Sequence, residues 1–301
     1  MWVDLIGQGI PETFLDTQAW YVKLWLLNPL LYVVVAALLL LSFLRPAMAW
    51  SRQFLPSFAQ DAVYLVVRAF VVLPVLACAI WVVHAATTTY MPWIQIDALH
   101  GLPILAQILL AFVARDFLQY VSHFLRHKIR WMWYFHTIHH SQEHLNPLTT
   151  KRNHLFEDIF TTIVISWVPL AILGSPVETW WLFYAIDGGW DYMVHSNLRL
   201  PFGPLRYVVV TPEYHRIHHS KLPQHYDKNF SVRLVLWDVV FGTACFDFDE
   251  EVETGVPDDR FVHERDAHPW SLVRTWALQW IYPFRKIAAD LRSETRTRPS
   301  T

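Results

Sequence analysis

Leu24 to Leu44 carries no charged residue and is mostly Leu, Val and Ala. A helix crossing a bilayer needs roughly 20 such residues, because every backbone polar group must be satisfied within the segment. This run is therefore read as a transmembrane helix, with Pro29 in its first turn, where proline is tolerated. A second span is expected from about Ala62 to Ala85. Arg68 lies near one end and can snorkel to the interface, while Pro74 predicts a kink. A third span is expected from about Leu102 to Val121, with Arg115 and Asp116 in its later half. Charges at that depth are costly, so they should face the protein interior.

Composition agrees with a membrane protein. The chain is 54% hydrophobic and 17% charged, with a mean hydropathy of +0.24; soluble domains carry about 25% charged residues. Residues 158–173 and 177–195 form two shorter apolar runs around Gly174-Ser175-Pro176, suited to a tilted hairpin or a re-entrant pair. Residues 1–23 place Trp2, Trp20 and Tyr21 among polar residues, as an interfacial segment does. Residues 199–301 are polar and end in a charged tail from Arg292, expected to be disordered. The expected fold is all-α: an integral membrane bundle of three or four spans plus a hairpin, capped by a cytoplasmic helical domain.

A net charge of -2 gives no basic field for nucleic acid. Cys78 and Cys245 are too few for a disulfide framework or a thiolate-rich metal site. No basic start followed by an apolar core marks a cleavable leader. Basic residues set the orientation. Arg45 and Arg52 follow span one, and Arg126, Lys128, Arg130, Lys151 and Arg152 follow span three, whereas residues 86–102 contain neither Lys nor Arg. The positive-inside rule then places 45–60 and 125–157 in the cytoplasm.

Sixteen histidines stand out, and eight of them fall in three short clusters. His123 and His127 are four apart, on one helical face. His136, His139 and His140, and then His215, His218 and His219, repeat His-x-x-His-His followed by serine. Neutral imidazole is a ligand for iron, zinc and copper. On a helix, neighbouring residues point about 100° apart, so one box can serve two metals. Eight clustered imidazoles exceed the need of one ion. His195 is a ninth candidate, and Asp191, four residues earlier, is either a ligand or a group that orients it. The orientation puts all three clusters on one cytoplasmic face. His154, Asp116, Glu157 and Asn197 are further candidates for ligation or for holding a bound imidazole from behind. Glu213 and Asp238 are similar. Each has a plainer reading, as a buried ion pair or structural group. His144 and His225 read as local hydrogen-bonding or pocket-rim residues, and His84, His100, His263 and His268 as structural.

The pattern resembles the fatty acid hydroxylase/sterol desaturase superfamily. The resemblance rests on Asp116-x-x-x-Tyr120-x-x-His123-x-x-x-His127, Trp133-x-Phe135-His136-x-x-His139-His140-Ser141, His195-Ser196-Asn197, Thr211-Pro212-x-x-His215-x-x-His218-His219-Ser220 and Trp237-Asp238-x-x-Phe241-Gly242-Thr243. It covers roughly residues 104–245. It implies a non-haem di-iron centre, with O2 as oxidant, that hydroxylates or desaturates a lipid. The implied ligands are His123, His127, His136, His139, His140, His195, His215, His218 and His219. Some relatives carry histidine or asparagine where this chain has Asp191. The resulting division is a membrane region over 1–100, a hydroxylase-like domain over 101–250 and a C-terminal extension over 251–301.

With no flavin, haem or iron–sulfur motif in the sequence, electrons are expected from a separate carrier, such as a cytochrome b5-like protein or a ferredoxin and its reductase. The basic residues Arg126, Lys128 and Arg130 are a candidate docking loop, or face lipid head groups. A lipid would enter sideways from the bilayer, near Trp180, Trp181 and Trp190. Two Fe ions are expected, with Zn possible in purified samples. No C-terminal retrieval signal for the endoplasmic reticulum is visible, which favours a bacterial inner membrane. Two other readings are a metal-transport protein, whose histidines would line a path across the bilayer, and a zinc-dependent lipid hydrolase, which would need Glu157 or Glu213 as general base.

Overall fold

The computed structural model describes residues 15–16, 19, 29–94, 101–163, 188–248, 250 and 252–297. The described residues are helical and include no β-strand; three isolated bridges pair Pro46 with Leu198, Val209 with Leu234, and Ser220 with Thr254. The membrane-type helices come first: α1 (Pro29–Leu44), α2 (Phe54–Val67), α3 (Leu73–Tyr90) and α4 (Ile104–Lys128). Then follow α5 (Arg130–His140), α6 (Leu155–Thr161), α7 (Pro212–His218), α8 (Leu236–Phe241) and α9 (Pro269–Thr297).

Among the described residues, two helical stretches are long and apolar enough to cross a membrane, Phe54–Thr87 and Leu105–Lys128. The described part of α1 is apolar but shorter, at 16 residues. Residues 24–28, and the hairpin expected over 158–195 for its part at 164–187, lie outside the described residues. Leu105, Leu109, Leu110 and Val113 on α4, and Val66, Phe70 and Val82 on the α2–α3 run, are exposed. Outward Leu, Val and Phe on such helices suit lipid, which takes apolar surface at no cost.

The break near Pro74 takes a specific form. Between α2 and α3 the chain makes a π-helical turn, Arg68–Val72, and Pro74 sits at the start of α3. Proline lacks the N–H that would bond one turn back and its ring crowds that carbonyl, and a widened turn absorbs both effects. Arg68 does not snorkel outward. It donates to Asp158 Oδ2 at 2.6 Å, so the charge is met inside the protein by the first turn of α6.

A buried polar hub ties the membrane helices to the rest. Asp61 of α2, fully buried, accepts from Arg152 (3.0 Å), Gln142 (2.8 Å), Asn146 (2.8 Å) and Thr149 (2.8 Å). Arg152 also pairs with Glu264 at 3.0 Å and donates to Ile138 O (3.1 Å) and Ser141 Oγ (3.2 Å) at the end of α5. A buried charge is tolerated only when paired and hydrogen-bonded in this way. Of the tail expected to be disordered from Arg292, residues 292–297 continue the last helix of the chain's described part, and residues 298–301 lie outside the described residues. Helix α9 packs on α2 and α5, with Tyr64 donating to Gln279 (2.9 Å) and Tyr134 to Asp290 (2.6 Å). Trp276 and Trp280 add apolar burial to that contact, so the extension is part of the fold rather than appended to it.

Candidate metal centre

Four short elements bring the histidines together. The last two turns of α4 carry His123 and His127 on one face. Ile129 breaks the helix with extended geometry (φ -95°, ψ 112°), which lets α5 turn back with His136, His139 and His140. The helical residues 188–194 end just before His195. Thr211 caps α7, accepting from Tyr214 N, and Pro212 follows in the first turn. Threonine then proline is a favourable helix start, and it aims His215, His218 and His219 inward. All of these but His127 are buried, and His127 is half-buried.

The nine imidazoles form two groups: His123, His127, His136, His140 and His218 in one, and His139, His195, His215 and His219 in the other. Within each group one nitrogen per residue lies within 4.8 Å of every other. The two His-x-x-His-His boxes are interleaved. In each, the first and third histidines share a group and the middle one crosses to the other. Residues four apart lie about 40° apart around a helix axis, whereas the middle side chain lies about 100° from the third. The groups abut, with the His140 and His219 rings stacked at 4.4 Å between centroids.

Ring tautomers follow from what the Nδ1 atoms meet. His123 Nδ1 donates to Phe230 O, His218 Nδ1 to Lys228 O and His195 Nδ1 to Asp191 O, each at 2.8 Å. A carbonyl oxygen only accepts, so these rings carry their proton on Nδ1 and leave Nε2 bare. His136 Nδ1 donates to Glu157 Oε1 at 2.8 Å, and Arg126 pairs with that same oxygen. Burial raises the pKa of Glu157, and the Arg126 guanidinium opposes that rise. Burial also holds His136, His139, His140, His215 and His219 well below the ordinary histidine range, and brings His195 to about 4 and His218 to about 3. Neighbouring imidazoles add to the effect. The rings are thus neutral at physiological pH, the form that ligates metal.

The residues fit metal ions. Nε2 of His123, His127, His136, His140 and His218 is buried with no hydrogen-bond partner. Five bare lone pairs facing one point would be costly without a cation among them. In the second group, Nε2 of His195 lies 3.1 Å from that of His139 and 2.9 Å from that of His215, which is 3.1 Å from that of His219. Those separations match adjacent ligands about 2.1 Å from one ion at near-right angles. Nitrogen-only sets of this kind take iron, zinc or copper.

The other candidates stand outside the two groups. Glu157 holds His136 from behind, and Asp191 serves His195 through its main-chain carbonyl while its carboxylate meets Arg233 at 3.1 Å. Asp116 is turned inward and accepts from Leu234 N (3.2 Å) and Trp237 Nε1 (2.9 Å). Asn197 clamps Met48, accepting from its N (2.8 Å) and donating to its O (2.9 Å). His154 caps α6 by accepting from Phe156 N (3.1 Å) and packs between Phe135 and Trp280. Asp238 organises the loop beneath His123: it accepts from Phe230 N and Ser231 N (both 2.8 Å), Tyr214 (2.9 Å) and Thr243 (2.6 Å). Sequence reasoning missed the Phe230, Lys228 and Asp191 carbonyls, because any residue type supplies one. In the basic loop, Arg126 pairs with Glu157 inside the protein, while Lys128 meets Asp227 (2.6 Å) and Arg130 meets Asp290 (2.9 Å) at the surface.

Two cavities flank the groups. One, of about 150 Å³, touches His123, His136, His139, His195 and His215. Its described lining includes Arg68, Arg115, Gln119, Arg126 and Lys151. The other, of about 340 Å³, touches His127, His140 and His218 beside Trp133, Val256, Pro257 and Tyr282.

Residues 108–243 match the fatty acid hydroxylase family model. Over 141 residues the chain is 33% identical to the ornithine lipid hydroxylase OlsE of Rhizobium tropici, covering 47% of this chain and 42% of that protein. It is 32% identical to the human alkylglycerol monooxygenase over 44% of this chain and 29% of the relative. With human cholesterol 25-hydroxylase it shares 28% identity over 52% of this chain and 59% of the relative. The chain thus spans less than two thirds of each of these proteins. No solved structure matches it.

Proposed function

Because residues 108–243 match the fatty acid hydroxylase family model, we propose that the chain is a membrane lipid hydroxylase whose two histidine groups each hold one iron ion. The observation that carries this reading is the pair of abutting groups of buried, neutral imidazoles with their ring nitrogens converging. Iron so held would supply the redox chemistry that inserts an oxygen atom from O2 into a C–H bond, with electrons from a separate carrier; zinc has no such chemistry.

The protein's own part is to bind, orient and exclude water. His123, His127, His136, His140 and His218 would hold one ion, and His139, His195, His215 and His219 the other. Carbonyls of Lys228, Asp191 and Phe230 and the carboxylate of Glu157 keep four of those rings in one tautomer and one orientation. Phe230, fully buried, packs against His123, His127 and His218 and keeps water from that side.

The substrate is a lipid with a polar head, attacked close to that head. The described lining of the smaller cavity is polar and of mixed charge, with Arg68, Arg115, Arg126 and Lys151 beside Glu157, Asp158 and Asp191. A bare acyl chain gains nothing there, whereas a charged or hydroxylated head group finds partners. Two of the relatives are named for polar lipids, an ornithine lipid and an alkylglycerol. In this reading the histidine groups lie at the cytoplasmic face, where the basic segments gather. The test is iron-loaded, full-length protein supplied with a reductant, O2 and extracted polar lipids. Reductant-dependent O2 uptake and a lipid gaining one oxygen are expected, both lost in His139→Ala. A product one hydrogen pair lighter would replace hydroxylation by desaturation, and no O2 uptake would end the oxygenase reading.

A further inference from the structure

A third cluster of metal-ligating side chains lies outside the two groups, where the loop that follows α7 meets the segment that follows α8. His225, Cys245 and Asp247 bring an imidazole nitrogen, a thiol sulfur and a carboxylate oxygen within 4.8 Å of one another. His225 is buried, yet neither ring nitrogen makes a hydrogen bond among the described residues. Its Nε2 faces Glu250 Oε2 at 3.1 Å and Asp247 Oδ2 at 3.7 Å, both out of hydrogen-bond alignment. A protonated histidine paired with these carboxylates would align an N–H on one of them. Ring nitrogens placed among oxygens and a sulfur without that alignment suit a cation between them. Cys245 Sγ is 3.3 Å from the same Asp247 Oδ2.

We propose that His225, Cys245, Asp247 and Glu250 form a structural site for a divalent zinc-like ion. The mixed nitrogen, sulfur and oxygen set is that of a four-coordinate zinc site. Cys245 is half-buried and Asp247 exposed, so an ion can enter from solvent.

The position gives the site a task. His225 and Cys245 close a loop that is otherwise held under strain. Asp227 (φ 60°) and Asn229 (φ 59°) are both non-glycine residues in the left-handed region, a conformation that costs free energy unless its surroundings fix it. Asn229 is already locked to Cys245, donating to its O at 2.9 Å and accepting from its N at 2.7 Å. Between these anchors lie Lys228 and Phe230, whose carbonyls hold His218 and His123. An ion tying His225 to Cys245 and Asp247 clamps the loop that orients two imidazoles of the five-histidine group.

The test uses iron-loaded, full-length protein in detergent, with Co²⁺ as probe. Binding should give a saturable thiolate-to-cobalt charge-transfer absorption, which an all-histidine centre cannot produce. Cys245→Ser should abolish it, Cys78→Ser should keep it, and His225→Ala should weaken Co²⁺ binding by roughly tenfold or more. No band in the wild type, or a band that survives Cys245→Ser, overturns the site. Should Cys245→Ser fail to fold, alkylation of Cys245 in the wild type decides: Zn²⁺ should slow it by about tenfold or more, and an unchanged rate overturns the site.

Discussion

The two histidine groups differ in how firmly the protein holds them. In the five-histidine group, three rings are fixed through Nδ1, on Phe230 O, Lys228 O and the Glu157 carboxylate. In the four-histidine group only His195 is, while Nδ1 of His139, His215 and His219 is buried without a partner. Their Nε2 atoms crowd to 2.9–3.1 Å. The first group is oriented by the fold; the second is oriented mainly by helix geometry and would depend on its ion. A ring held from behind is a more basic ligand and loses less freedom on binding. The four-histidine site should therefore be the looser of the two.

The largest effect tests whether both groups are needed. Replacing one ligand in each, His123→Ala or His139→Ala, should lower turnover by roughly 100-fold or more in either case. A variant of one group that keeps its turnover would show that the groups do not act together. Next comes the difference in grip. Stepwise chelation should remove metal from the four-histidine group first, at an affinity about 10–100-fold weaker, as metal content and competition titrations would show. Loss from the five-histidine group first would reverse the comparison. Glu157→Gln should narrow it, costing about tenfold in affinity at the five-histidine site only.

Acid should act on both groups. Burial lowers the pKa of seven of these histidines outside the span, to about 4 for His195 and about 3 for His218. The unfolded chain takes up protons as pH falls below about 6.5, and the folded chain does not until lower pH. Stability of metal-free protein is thus full above about pH 6.5 and is lost as pH falls toward the folded values. Melting temperatures that rise on acidification would contradict the neutral, buried assignment. The smallest effect is expected from Asp191→Ala, under about tenfold in metal affinity, because a main-chain carbonyl holds His195 and the side chain meets Arg233.

How much was legible in the sequence follows from what each residue does. The nine histidines declare themselves because an imidazole set repeated at helical spacing has few other uses. The membrane-type helices are legible because lipid demands long apolar runs, as the Phe54–Thr87 and Leu105–Lys128 stretches show. Arg68 was misread because its partner Asp158 is 90 residues away, and no local signal links them. The carbonyls of Lys228, Asp191 and Phe230 are invisible to sequence reading. His154 and Asn197 carry metal-capable atoms but spend them on backbone groups. Cys245 seemed too isolated to ligate, yet the fold sets it beside His225 and Asp247. The charged end from Arg292 reads as tail by composition, and residues 292–297 continue α9, whose packing on α2 and α5 comes from the earlier residues Trp276, Gln279, Trp280 and Tyr282.

The most direct test is anomalous diffraction at the iron edge from crystals of iron-loaded, full-length protein. Two peaks are expected, one bonded at about 2.1 Å to the Nε2 atoms of His123, His127, His136, His140 and His218, the other to those of His139, His195, His215 and His219. A single iron, or irons bound away from these imidazoles, would contradict the two-ion centre.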